Sequence, residues 1–367
     1  MWLIIFAVTI LIGVACAVYL SHKVSGIGFI RSINSRVLSK LAAYAAVALA
    51  VALLVYVFDV TNAIIIIIHV AAFLLLGDLA GYVFGHYVAS ERLPHIFDIA
   101  ALLLCTVYLG AGWYYMHGLW ETDYFLSTSK DIGKLRIAHI ADSHIGCGFS
   151  GQEFSQKLDR IGALEPDILV ITGDFVDDGT SRQDMLDACA ALGDFKTKYG
   201  IFFSFGNHDR GYSAQSRRGY SGDDLVAALK ENGVVVLEDE SVLIDGRFYV
   251  IGRADAGYGT PQRESVSDLI KDLDRDKYMV VLDHQPTDYE AEEAAKVDLV
   301  LSGHTHGGQI FPLEYIQPLI SQNDAVRGLT RRGDTDFIVT DGISDWEIKF
   351  KTGCKSEFNI ITVESQE

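Results

Sequence analysis

Five short apolar runs in the last two thirds of the chain each empty into a cluster of Asp, Asn or His. Residues 137–141 lead into Asp142-Ser143-His144, residues 167–172 into Gly173-Asp174-Phe175-Val176-Asp177, and residues 201–205 into Gly206-Asn207-His208-Asp209. Residues 279–282 lead into Asp283-His284-Gln285-Pro286, and residues 299–301 into Ser302-Gly303-His304-Thr305-His306-Gly307-Gly308-Gln309. A short apolar run closed by turn residues reads as a buried strand. One such cluster would mean little, but five at C-terminal strand ends in one domain are hard to produce by chance.

The last cluster is the densest. Residues two apart in an extended or looping backbone can point the same way, so His304 and His306 can address one small volume. Gly303, Gly307 and Gly308 let the backbone turn and approach a ligand closely. Each histidine taken singly reads as an ordinary core or surface residue. Taken with two aspartates and an asparagine, the set reads as metal ligands. Carboxylate and amide oxygens mixed with imidazoles suit Mn, Fe or Zn and not calcium. No thiolate cluster competes: the five cysteines are scattered, with no C-x-x-C pair, and Cys147 reads as a small buried filler.

The first 120 residues are of another kind. Apolar stretches cover about residues 2–20, 41–58, 63–84 and 96–120, each near the ~20 residues that cross ~30 Å of hydrocarbon. The first has no basic n-region and no small-residue cleavage site, so it reads as a retained helix and not a signal peptide. Four transmembrane helices are expected over residues 1–121, with Trp113, Tyr114, Tyr115 and Trp120 as an interfacial belt. Lys23, Arg31, Arg36 and Lys40 crowd the first loop and Arg92 the third, while the second loop has no Lys or Arg. That asymmetry puts both termini, and with them the following domain, on the extracytoplasmic side of an inner membrane; Lys130, Lys134 and Arg136 pull the other way. Within the third span lie His69 and Asp78, with His86 just past it. Gly77, Gly81 and Gly85 repeat every four residues, which suits close helix packing. Asp78 reads as a polar contact between helices, with a role in substrate access or ion passage as the alternative.

Residues 122–134 are polar and read as a linker. From 135 to 367, strands alternate with amphipathic helical segments at 154–164, 182–196, 221–232 and 265–274, predicting a layered α/β domain. Asp245-Gly246 between apolar runs predicts a hairpin over 238–250, and residues 337–340 and 358–363 add strands. The net charge of −18 reads as a solvated surface and argues against a nucleic-acid partner, which needs clustered Lys and Arg.

The blocks D-x-H, G-D-x-x-D, G-N-H-D, a lone histidine after a strand, and G-H-T-H-G-G-Q resemble, in order and spacing, those of the calcineurin-like metallophosphoesterases, from about residue 134 onward. The nearest branch by this resemblance is the membrane-linked YkuE/YaeI-like one. The resemblance implies a two-sheet β-sandwich flanked by helices, holding two divalent metal ions, with manganese favoured. One ion would take Asp142, His144 and His306, the other Asn207, His284 and His304, and Asp174 would bridge both. In such sites the ions sit ~3.5–4 Å apart and the water between them becomes the nucleophile near neutral pH. His208 would serve as the catalytic acid or a phosphoryl hydrogen-bond donor, with Asp177 and Asp209 completing the catalytic group as orienters. Arg253, in a G-R-x-D…R pattern with Arg263, and Arg210 are weaker candidates for binding substrate, Arg253 reading equally as a structural partner of an aspartate. Where relatives carry a basic-Pro-Glu element, this chain has Cys354-Lys355-Ser356-Glu357, which leaves the substrate-facing rim open.

The expected activity is a membrane-anchored, dinuclear metal-dependent phosphohydrolase for phosphate esters or pyrophosphates, with lipid-linked substrates attractive because four helices exceed a simple tether. The alternatives are an enzyme like the UDP-2,3-diacylglucosamine pyrophosphatases, or a membrane sensor whose domain only binds ligand. Filled ligand positions favour catalysis. The sequence carries no signal of oligomeric state.

Overall fold

A computed structural model describes residues 2–87, 93–211, 218–257 and 263–366. Arg92 and the side chains of His86 and His95 lie outside the described residues. The chain divides into two units, Met1–Ala111 and Gly112–Glu367.

The first unit is helical: α1 (Trp2–Ser25), the short α2 (Gly28–Arg31), α3 (Arg36–Phe58), α4 (Val60–Tyr87) and most of α5 (Leu93–His117). Among the described residues, four segments are long and apolar enough to cross a membrane: Ala7–Ser25, Arg36–Phe58, Val60–Phe84 and Ile96–His117. Gly77 and Gly81 do what the spacing of the glycine ladder suggests, and Gly85 lies outside the described side chains. A Cβ on Gly77 would fall 3.0 Å from the Phe97 carbonyl oxygen, and one on Gly81 3.4 Å from the Phe97 ring. Asp78 is a polar contact between helices: Lys23 Nζ lies 2.6 Å from it and 2.6 Å from Asp98, and Tyr19 donates to its second oxygen at 2.6 Å. A carboxylate within an apolar helix escapes much of its desolvation cost when it is paired in this way.

The second unit contains β1 (Trp120–Thr128), β2 (Lys134–Ile140), α6 (Gly151–Gly162), β3 (Ile168–Thr172), α7 (Arg182–Asp194), β4 (Ile201–Ser204), α8 (Gly222–Glu231) and β5 (Val234–Val236). There follow β6 (Glu240–Ile244), β7 (Phe248–Gly252), α9 (Val266–Leu269), β8 (Tyr278–Leu282), α10 (Tyr289–Ala295) and β9 (Leu299–Ser302). The chain closes with α11 (Leu313–Ile320), β10 (Gly328–Arg332), β11 (Thr335–Val339) and β12 (Glu357–Ser365). Two six-stranded sheets result, ordered β1-β12-β2-β3-β4-β5 and β10-β11-β9-β8-β7-β6. In the first, β2 to β5 run parallel; in the second, β7, β8, β9 and β11 do.

The central strands are covered on both faces, which is why they read as unbroken apolar runs. Along β3, Ile168 and Val170 point into the layer between the sheets, where they meet Val250, Val280 and Leu299. Leu169 and Ile171 point outward onto Phe154, Leu158 and Met185 of α6 and α7. Capping fixes the helix starts: Ser150, Ser181 and Ser221 each accept the amide three residues on, and Ser150 and Ser221 form full capping boxes with Glu153 and Asp224.

The structure corrects two expectations. Residues 122–134 are not simply a linker, because 120–128 form β1, paired in parallel with β12 from Trp120↔Glu357 to Thr128↔Ser365. As an edge strand it alternates exposed with partly buried residues, and its polar outer face made the stretch look like coil. The helix expected over 265–274 shrinks to the single turn of α9.

Candidate metal centre

The strand ends of β2, β3, β4, β8 and β9 deliver the polar clusters, and they do so with unusual backbone. Asp142, His144, Asp174, His304 and His306 all have positive φ, between 38° and 71°. Left-handed backbone costs a non-glycine residue of order 1 kcal/mol. Five such residues at strand ends mark a place where local strain is held by its surroundings. Two glycines make room: a Cβ on Gly206 would lie 2.3 Å from Asp174 Oδ1, and one on Gly303 2.5 Å from Asp142 Oδ2.

Among the described residues, three groups of side chains come close enough to share a cation: Asp142 with His144 and His306, Asp174 with His284 and His304, and His144 with Asp177 and His208. Asp174 stands between the first two. Its Oδ2 lies 3.7 Å from His144 Nε2 and 3.1 Å from His284 Nε2. Asn207 Oδ1 lies 3.2 Å from the same His284 nitrogen, and His306 Nε2 is 3.8 Å from Asp142 Oδ1.

Backbone groups hold these side chains in place. The His304 amide donates to both Asp142 oxygens at 3.0 Å, and the His208 amide donates to Asp174 Oδ1 at 2.8 Å. His284 Nδ1 donates to the Thr172 carbonyl at 2.7 Å, which turns Nε2 toward Asp174. Asp209 is fully buried and accepts from the amides of Asp174, Phe175, Val176 and Gly206 at 2.7–3.2 Å. Its carboxylate therefore shapes the loop that presents Asp174. Asp177 touches two histidines, with oxygens 3.4 Å from His144 Nδ1 and 3.2 Å from His208 Nδ1.

The electrostatics are those of charge packed without water. Burial raises the Asp142 and Asp209 carboxyls, the latter to about 6. Burial would raise Asp174 too, but His284 beside it outweighs that and holds it well below the usual range. Burial, aided by the His284 charge, pushes His304 down to about 3, and burial pushes His306 well below its ordinary value. His144 Nε2 and His304 Nδ1 are buried with no hydrogen-bond partner. Unpaired buried nitrogens facing buried carboxylates are costly on their own account. They fit divalent cations, which would take the nitrogens and compensate the carboxylates together.

Of the two readings of Arg253, the structure has the partner of an aspartate. It is buried, with its guanidinium 2.9 Å from Asp283, 2.8 Å from Asp288 and 3.1 Å from Glu292. Arg263 reaches Asp283 and Asp288 as well, so the G-R-x-D…R pattern builds an internal ion network. Arg210 turns to Glu238 at 2.7 Å and stacks on Phe205 at 4.3 Å. Cys147 lies 3.8 Å from Asp177, and burial with that carboxylate pushes its thiol up to about 12, an inert neighbour.

Two residues of this region escaped the sequence reading. Asp345, buried, sits 3.5 Å from His306 Nδ1, and Trp346 lies with its ring 5.7 Å from that of His208. The signal was present, since β11 and Thr340-Asp341 repeat the pattern of an apolar run ending in acid, and Asp345 follows four residues on.

Comparison with known proteins agrees with the blocks. Residues 135–308 match the family model described as calcineurin-like phosphoesterase. An uncharacterised metallophosphoesterase of Campylobacter jejuni is 29% identical over 63% of this chain and 60% of its own. The metallophosphoesterase YkoQ of Bacillus subtilis is 30% identical over 61% of this chain and 82% of its own. A Bos taurus transmembrane protein with a metallophosphoesterase domain is 27% identical over 64% of this chain and 54% of its own. The chain thus spans about three fifths of the Campylobacter relative and about half of the bovine one. With the five blocks, the paired sheets and these matches together, the chain belongs to the calcineurin-like phosphoesterase family.

Proposed function

We propose that this protein is a membrane-anchored phosphohydrolase that uses two divalent cations, held by Asp142, His144 and His306 on one side and Asn207, His284 and His304 on the other, with Asp174 shared. The observation that carries this reading is Asp174 Oδ2, within 3.7 Å of His144 and 3.1 Å of His284. When bound, such ions supply an activated water at neutral pH and neutralise phosphoryl charge. Their identity is Mn, Fe or Zn by donor type, and manganese is the first to test.

The chain's own residues do the rest. Asp177 holds Nδ1 of His208 at 3.2 Å, so Nε2 is the atom that carries the proton to the leaving oxygen. Asp209 fixes the Asp174 loop through four amides. The Trp346 ring beside His208 gives a non-polar wall for the group that leaves.

The substrate is a phosphate ester or pyrophosphate, and the four apolar helices favour one that resides in a membrane. The crowding of Lys and Arg in the loop after α1 supports a catalytic unit outside the cytoplasm. Hydrolysis of bis(p-nitrophenyl) phosphate by the full chain tests the activity. Stimulation by Mn²⁺, with loss in Asp174→Ala and His208→Ala proteins, is expected. Tight binding of phosphate esters without turnover would turn the reading toward a ligand sensor.

A further inference from the structure

One short helix leaves most of its apolar side chains exposed. Helix α11 follows the histidine loop directly and contains no buried residue. Phe311 before it is 55% exposed, and Tyr315, Leu319 and Ile320 are 65%, 82% and 54% exposed. Positions 315, 316, 319 and 320 fall on one side of a helix. A contiguous apolar stripe of this size marks a surface meant to be covered.

The surroundings say by what. Gln309 accepts from the amides of Thr352 and Gly353 at 2.9 and 3.1 Å, and the Phe311 amide donates to Thr352 Oγ1 at 3.2 Å. The neighbouring Lys351 amide donates to the Gly112 carbonyl at 2.9 Å. Gly112 lies within the apolar segment Ile96–His117, whose end carries the exposed aromatics Trp113, Tyr114 and Tyr115. The start of α11 is therefore two hydrogen-bonded links from the last turns of a helix long and apolar enough to leave a bilayer there. Lys157 and Arg160 line, with Glu153, a cavity of about 390 Å³ whose wall includes Met116 and His117 of the same last turn. Cations beside the last turn of such a helix suit a headgroup region.

We propose that Phe311 and the stripe of α11 form a bilayer-docking face that lies in the lipid interface. The helix packs on the site itself: a Cβ on Gly308 would fall 2.6 Å from Glu314. Docking would bring the loop carrying His304 and His306 to headgroup level, so the phosphate to be cleaved is one whose apolar tail stays in the membrane. The last step rests on the proposed hydrolase activity; the docking face does not.

The test places the full-length protein in phosphatidylcholine–phosphatidylglycerol nanodiscs, with or without bromine at carbons 6 and 7 of one acyl chain. Tyr315→Trp and Leu319→Trp each add one tryptophan to the four native ones. An interfacial helix predicts that the added emission falls at least about twofold in brominated discs. Equal added emission in both discs, for both variants, would mean that water, a protein or a second copy faces the stripe, and would overturn the proposal. Hydrolysis of bis(p-nitrophenyl) phosphate is read in the same samples. Quenching without hydrolysis sinks the catalytic reading and supports the docking face; hydrolysis without quenching does the reverse.

Discussion

Asp345 places Oδ1 3.5 Å from Nδ1 of His306, on the opposite side of the ring from the nitrogen that faces Asp142. A carboxylate in this position fixes the ring's orientation and raises its basicity as a ligand. Asp345→Asn keeps the shape and removes the charge. Its affinity for Mn²⁺ should fall by ~10–100-fold, read by competition with a fluorescent chelator. Unchanged affinity with reduced thermal stability would reduce Asp345 to a packing role.

Asp177 serves two rings at once, His144 at 3.4 Å and His208 at 3.2 Å. Asp177→Asn should therefore lower kcat by about 100-fold or more, the range that one positioned proton donor contributes. KM for a small diester should change little, because neither ring's loss removes uniform binding. A KM effect with intact kcat would contradict this role.

The Arg253 network is structural, with Asp283 and Glu292 buried beside the guanidinium. Arg253→Met leaves buried Glu292 without the guanidinium and Asp283 with Arg263 alone, and should cost about 3–5 kcal/mol of stability. Urea unfolding gives that number. Turnover per folded molecule should stay near the wild-type value, whereas a substrate-binding arginine would raise KM.

His139 is fully buried in β2 and shares a hydrogen bond of 2.8 Å with Thr172 Oγ1. Burial pushes its pKa down from 6.5 to about 3. The folded chain thus holds a neutral ring where the unfolded chain would bind a proton. The stability this provides is complete above pH 6.5 and drains away as pH falls toward 3. Relative to His139→Gln, the wild type should lose up to ~1.4 kcal/mol per pH unit below that point. Unfolding in chelator at pH 6.5, 5.5 and 4.5 measures the difference, and parallel curves for both proteins would contradict it.

Much of this was legible because both periodicity and chemistry were regular. Strands buried on two faces read as apolar runs, and their ends carried Asp142, Asp174, Asn207, His284 and His304 in the open. The hairpin at Asp245-Gly246 appeared between β6 and β7 as its turn residues required. Other features depend on tertiary partners. Residues 120–128 became a strand because β12, more than two hundred residues away in sequence, offered it an edge. Arg253 looked like a phosphate ligand because its partners Asp283, Asp288 and Glu292 are distant in sequence. Asp345 had no histidine near it in the chain, and only the fold set it against His306.

The account rests on two cations sharing Asp174. Equilibrium dialysis of the full-length protein against Mn²⁺, followed by elemental analysis, measures this directly. Two equivalents per chain are predicted for the wild type, with at least one lost in Asp174→Ala. A wild-type protein that retains one equivalent or none would contradict the shared-carboxylate centre.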